Sequence, residues 1–109
     1  MHMISKLQAM LEAGQDNALL RFTLGSQLLK LGEQQAAIQH LRAAVLHDPG
    51  YSAAWKTLGK ALQESGDYAA ARDVYLQGIE AAGRKGDMQA AREMGVFLRR
   101  TEKALADSD

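Results

Sequence analysis

Apolar residues recur along this chain at intervals of three and four, the period of a helix buried on one side. Ile4, Leu7, Met10 and Leu11 open the pattern as a single stripe on a short helix, and Gly14 offers its stop. Asp16 or Asn17 can cap the next helix, because a short polar side chain accepts from the free N–H groups of a first turn. Residues 18–31 then carry Leu19, Leu20, Phe22, Leu24, Leu28, Leu29 and Leu31. A helix apolar on several faces needs neighbours on several sides. Gly32 ends it, and residues 34–47 follow with Ala37, Ile38, Leu41, Ala44 and Val45 turned inward. Asp48-Pro49-Gly50 breaks that helix, since proline cannot continue it. Ser52 is the expected cap of a helix from 53 to 65. Gly66-Asp67 repeats the turn at Gly32-Glu33, and residues 68–82 place Ala71, Val74, Tyr75, Gly78 and Ile79 inward. Gly83 to Asp87 reads as the last linker, with Asp87 capping a final helix that ends near 105. Met88, Ala91, Met94, Leu98, Thr101 and Leu105 give that helix a looser stripe, and 106–109 reads as a frayed tail.

Superimposed on the helical period is a longer one. Trp55, Leu58, Gly59 and Leu62 fit W-x₂-L-G-x₂-L, followed by Ala71 and Tyr75 at A-x₃-Y. Thirty-four residues earlier the same frame holds Leu24, Gly25, Leu28, Ala37, Leu41 and a closing Pro49. Laying 18–51 over 52–85 also aligns Thr23 with Thr57, Gly32 with Gly66 and Ala36 with Ala70. Glycine and alanine fall where two antiparallel helices must close up, and leucine fills the hollow between them.

These residues resemble the tetratricopeptide repeat family, whose pattern is W-x₂-L-G-x₂-Y, A-x₃-F and P at period 34. The match covers 18–51 as one unit and 52–85 as a second. It departs at Arg21, where the aromatic residue is missing, and at Gly83, where proline is expected. On the same ruler Leu7 and Met10 take the places of Leu41 and Ala44, so segment 4–14 is the second helix of a truncated unit. The slot of Leu58-Gly59 falls on Arg92-Glu93, so segment 87–105 reads as a capping helix rather than a third unit. The resemblance implies an all-α, right-handed solenoid of about six antiparallel helices in a single domain.

Composition narrows the class of function. Thirteen basic residues balance thirteen acidic ones, and residues 1–51 sum to zero by themselves. A nucleic-acid binder shows a basic face, so nucleic acid is not the expected partner. The chain has no cysteine, which excludes disulfides, thiolate chemistry and cysteine-ligated zinc. No apolar run approaches the ~20 residues of a membrane span. The opening Met1-His2-Met3 lacks the apolar core of a signal peptide, and the expected location is cytoplasmic.

The resemblance also implies which residues meet a partner. Positions 2, 5, 9 and 12 of each unit line the concave face, here Leu19, Phe22, Ser26 and Leu29, then Ala53, Lys56, Lys60 and Gln63. Phe22 and Leu29 suit an apolar side chain, and Lys56 and Lys60 suit a carboxylate. Some members clamp the terminal carboxylate of chaperone tails with lysine, asparagine and arginine at fixed positions. Phe22, Ser26, Thr57, Asp87 and Ala91 stand there instead, so no such clamp is expected.

The other candidates read as structure. Trp55 is a wedge between units. His40 and His47 lie seven apart, where a helical metal pair stands four apart, and they read as surface histidines. Glu64, Asp67 and Asp73 form no paired base and nucleophile. Neither catalytic residues, a metal site nor a cofactor is expected. The chain is therefore read as a non-catalytic module that holds a protein or peptide ligand. Self-association into a homo-oligomer is the second reading, and single-stranded RNA binding a remote third.

Overall fold

The computed structural model describes residues 2–108. Among them are six helices and no strand: α1 (His2–Glu12), α2 (Ala18–Lys30), α3 (Gln34–His47), α4 (Ser52–Glu64), α5 (Tyr68–Lys85) and α6 (Met88–Asp107). Each helix lies against its neighbours in chain order, and α4 also touches α2 and α6. The helices α3 and α5 make no comparable contact with each other. The inner row α2, α4, α6 is thus drawn together while the outer row splays. This is the geometry of an all-α solenoid with its concave side on the inner row.

Four helices end in the same way. Gly14, Gly32, Gly66 and Gly86 have positive φ. After α2, Gly32 N–H donates to Leu29 and Glu33 N–H to Leu28, so the last carbonyls are satisfied without solvent. Gly66 and Asp67 repeat this at Gln63 and Leu62. A side chain at Gly32 or Gly66 would strain the left-handed turn that aims each outer helix back along its inner one.

The core runs along the interface of the two rows. Leu24, Leu41, Leu58, Tyr75 and Met94 are fully buried within it. Inner and outer helices close up over a missing side chain. A Cβ on Gly25 would lie 2.7 Å from Leu41 Cγ, and one on Gly59 would fall against the ring of Tyr75. Ala37 and Ala71 are fully buried at the same crossings.

Boundaries differ from the sequence reading in several places, the first being α1, which begins at His2 rather than at residue 4. Gly83, Arg84 and Lys85 continue α5, and the linker reduces to Gly86 and Asp87. Arg84 pairs with Glu80 one turn back at 2.9 Å, and Lys85 Nζ donates to Gly50 O at 3.1 Å, so the added turn has its own partners. Ser52 is not the cap of α4. Tyr51 holds that position, and Ser52 is the first helical residue, its buried Oγ without a hydrogen-bond partner. The last helix continues through Asp107, with Ser108 as its C-cap; Asp109 lies outside the described residues.

The longer α5 shifts the frame of α6. The N-caps Asn17 and Tyr51 stand thirty-four residues apart, whereas Tyr51 and Asp87 stand thirty-six apart. Counted from its cap, α6 places Met94, Gly95 and Leu98 where α4 has Leu58, Gly59 and Leu62. The equivalence of the two glycines ends at their surroundings. A Cβ on Gly95 meets only its own helix's Arg99 Nη1, 4.0 Å away.

This contrast fixes the sign of two substitutions. Gly59→Ala is expected to lower the unfolding free energy by about 1–3 kcal/mol through overpacking against Tyr75. Gly95→Ala is expected to raise it by about 0.5–1 kcal/mol, the ordinary gain of replacing glycine inside a helix. Urea denaturation checks the pair, and shifts of the same sign would contradict the packing assignment.

Candidate functional site

The concave face is built on the exposed sides of α2, α4 and α6. Ser26, Leu29 and Lys30 of α2 face Thr57, Lys60 and Glu64 of α4 across a recess of about 370 Å³. A second recess of about 390 Å³ lies beside it, bounded by Lys60, Gln63, Glu64, Tyr68, Phe97 and Arg100. Lys60 and Glu64 belong to both, so the two hollows adjoin along α4.

The residues expected to meet a partner occupy different surroundings. Ser26 and Leu29 are half-buried in the first recess. Leu19 is 65% exposed at the start of α2. Phe22 is half-buried, its ring 4.9 Å from that of Tyr51, so it joins α2 to the loop before α4. Ala53 is half-buried near the start of α4. Lys60 is exposed, with Nζ 5.4 Å from the Phe97 ring centroid, over an aromatic face that suits a cation. Lys56 faces a carboxylate of this chain, its Nζ 3.1 Å from Glu93 Oε1 on α6. Gln63 accepts a hydrogen bond from the Tyr75 hydroxyl at 2.9 Å, which turns its amide oxygen toward α5. Burial raises the pKa of that hydroxyl, with the charge of Glu64 acting in the same direction, so it stays a donor.

Lys30, Phe97 and Arg100 line the groove without having been singled out from the sequence, and Glu64, considered there only as a carboxylate without a catalytic partner, lines it too. For Arg100 the available signal was the cap-to-cap spacing. Counted from Asp87, Arg100 takes the place that Glu64 holds on α4.

A polar cluster lies where the first unit lacks its aromatic residue. Arg21 donates from Nε and Nη2 to the Asp16 carboxylate at 2.8 and 2.9 Å. Its Nη1 lies 3.1 Å from His40 Nδ1. A guanidinium only donates, so His40 accepts at Nδ1 and carries its proton on Nε2. His47 Nε2 reaches Asp16 Oδ1 at 3.0 Å, so α3 is tied through His40 to α2 and through His47 to the loop before it. The Arg21 hydrogen bonds hold the Asp16 carboxyl down at about 2. Burial lowers the pKa of His40 below the ordinary 6.5, and the charge of Arg21 adds to this against the smaller, opposite effect of Asp16. In the second unit Trp55 plays the corresponding part, its Nε1 donating to Pro49 O at 2.7 Å.

No helix among the described residues is long and apolar enough to cross a membrane. Stacked helix pairs with an open groove on one side define a helical-repeat binding module. The sequence profile of the tetratricopeptide repeat matches residues 28–94. TPR repeat-containing protein PA0015 of Pseudomonas aeruginosa is 51% identical over 102 residues, 94% of this chain and 97% of that protein. Among solved structures, protein BPP2914 from Bordetella parapertussis is 50% identical, with a TM-score of 0.79 over 93% of this chain and 88% of that one. The TPR2B domain of yeast Sti1, solved in a complex with pHsp70, gives a TM-score of 0.85 over 93% of this chain and 81% of that one. At 18% identity that is a likeness of fold alone. The chain belongs to the tetratricopeptide repeat family, whose domains generally mediate protein–protein interaction.

The Arg21 cluster makes stability depend on pH in a stated direction. The fold holds His40 neutral, so the unfolded chain binds more protons and stability falls as the pH drops through the ordinary histidine range. His40→Gln keeps an acceptor for Arg21 and removes this titration. Between about pH 8 and about pH 5 the melting temperature of the wild type is expected to fall more steeply than that of His40→Gln. Equal slopes would show that His40 does not titrate against the fold.

Proposed function

We propose that this chain is a non-catalytic module that captures a segment of a partner protein along the groove between α2, α4 and α6. The observation that carries this reading is the adjacency of the two recesses, with Lys60 in the lining of both. Lys60 has no ion-pair partner among the described residues. It stands between the half-buried Leu29 on one side and Phe97 on the other. Such a site suits a peptide with an apolar side chain next to a carboxylate. Lys30 and Arg100 at the outer edges add to the preference for acid, with Glu64 opposing it. Phe22 and Leu19 extend the apolar side of the same face, and Ser26 and Gln63 supply polar contacts. Lys56 joins the site only where a partner's carboxylate replaces Glu93.

The chaperone-tail clamp is not part of this reading. In the frame set by Asp87, its third-unit positions fall on Gln89 and Glu93 rather than on lysine and arginine. The even balance of charge argues against nucleic acid as the ligand. A cytoplasmic scaffold role fits the same features.

Binding to a peptide array varied in charge and apolar content tests the proposal. The wild type is expected to retain peptides that combine an acidic with a large apolar residue. Lys60→Glu is expected to lose them while changing stability by no more than about 0.5 kcal/mol. An unchanged array pattern in Lys60→Glu would place the binding surface elsewhere.

A further inference from the structure

The two ends of this solenoid are complementary halves of one unit. The last inner helix, α6, has no outer helix packed against it among the described residues. The first helix, α1, occupies an outer position and has no inner helix of its own unit among the described residues. Within the complete units the seat on the inner helix is always filled. Leu41 covers Gly25, and Tyr75 covers Gly59. On α4 the positions Trp55, Gly59 and Leu62 are buried, whereas on α6 the matching Ala91, Gly95 and Leu98 are half-exposed. Gly95 in particular has an open surface where its two counterparts have a neighbour's side chain.

The outer helix that is short of a partner shows the matching face. Met3 and Met10 of α1 are 52% and 38% exposed. On the thirty-four-residue ruler they stand where α3 has Ala37 and Ala44, both fully buried against α2. Leu7 stands where Leu41 does, the residue that fills the hollow above Gly25. We propose that α1 of a second copy docks on α6, so that the two helices complete a repeat unit shared between chains. The facing residues are Met3, Leu7 and Met10 on one side and Ala91, Gly95 and Leu98 on the other. None of the six is charged, and the exposed Arg99, whose Nη1 lies 4.0 Å from the Gly95 seat, has a side chain long enough to keep its charge in water at the rim of the contact. Methionine is larger than the alanine of the complete units, so the shared crossing is more open than an internal one, and the flexible unbranched side chains fill the wider gap. The contact joins two different surfaces, head to tail. It therefore does not close at a dimer but extends the solenoid from chain to chain. An α1 of only eleven residues makes the contact small, and the association is a weak one.

Sedimentation equilibrium from micromolar to millimolar concentration tests this with two variants. Gly95→Leu fills the seat on α6 at a position where an added Cβ meets nothing nearer than Arg99 Nη1 at 4.0 Å. Met10→Glu spoils the docking face of α1 at an exposed position. Circular dichroism confirms that both remain helical. The mean mass of the wild type is expected to rise past that of a dimer as concentration increases. Each variant alone is expected to stay at the mass of one chain. An equimolar mixture is expected to reach twice that mass and stop, because the intact α1 of Gly95→Leu docks on the intact α6 of Met10→Glu and both outer ends are blocked. A wild type that remains monomeric at millimolar concentration overturns the proposal. So does a Met10→Glu chain that dimerises by itself, which marks a symmetric contact, or a mixture that stays at the mass of one chain.

Discussion

The fold depends on a close approach that only glycine permits. At Gly25 and Gly59 the inner helices offer no side chain, and Leu41 and Tyr75 enter the space a Cβ would take. The buried area gained there is not the whole effect. With the outer helix set so near, Tyr75 also reaches Gln63 through its hydroxyl, and the unit is fixed at both its crossing and its open end. Rigid pairs of this kind can stack only through the faces they leave free. They stack with the inner helices touching and the outer ones apart, and the groove is the consequence of that asymmetry. A groove lined by rigid helices loses little entropy when a ligand enters, which is the physical basis for using this architecture in binding.

The position four residues into each unit shows how two chemistries meet one requirement. Trp55 and Arg21 both reach back to the loop that precedes their helix, one to the carbonyl of Pro49 and the other to the carboxylate of Asp16. Both therefore anchor a unit to the turn before it. The indole bond does not respond to pH in the physiological range. The guanidinium also meets His40, whose neutral form the fold favours, so the first unit carries a sensitivity that the second lacks. The missing aromatic residue is better described as an exchange of anchors than as a defect in the repeat.

Much of the architecture was legible because its period is regular. Inner and outer helices, the turn glycines and the alanines at the crossings all follow from apolar spacing and from the recurrence of Leu24-Gly25 at Leu58-Gly59. What escaped traces to one local event. Gly83 stands where the repeat closes with proline, and without a residue that forbids helix the chain continues to Lys85. A fixed ruler then lands on Arg92-Glu93, two residues short of the Met94-Gly95 pair that completes the series. The same error hid the pairing of Lys56 with Glu93, because a partner on another helix is set by register and not by local pattern. Ser52 failed as a cap for a simpler reason: the helix begins one residue earlier than its hydroxyl suggests, and the side chain is drawn inward with its neighbour Ala54.

The Lys56–Glu93 pair bears on how far the groove extends. Its two side chains are 31% and 43% exposed, a setting in which an ion pair contributes about 0–1 kcal/mol. The fold does not rest on it, since α6 is held against α5 by the fully buried Met94 beneath Gly78. Replacing Glu93 by a carboxylate from outside therefore costs little and leaves the helix in place. Lys60 differs in kind. Its cation lies over Phe97 without a carboxylate to displace, so a ligand there gains a charge partner outright. On the proposed reading, the two lysines, adjacent on one helix face, form a graded site: Lys60 sets where an acidic segment first binds, and Lys56 sets how far along α4 that segment can reach.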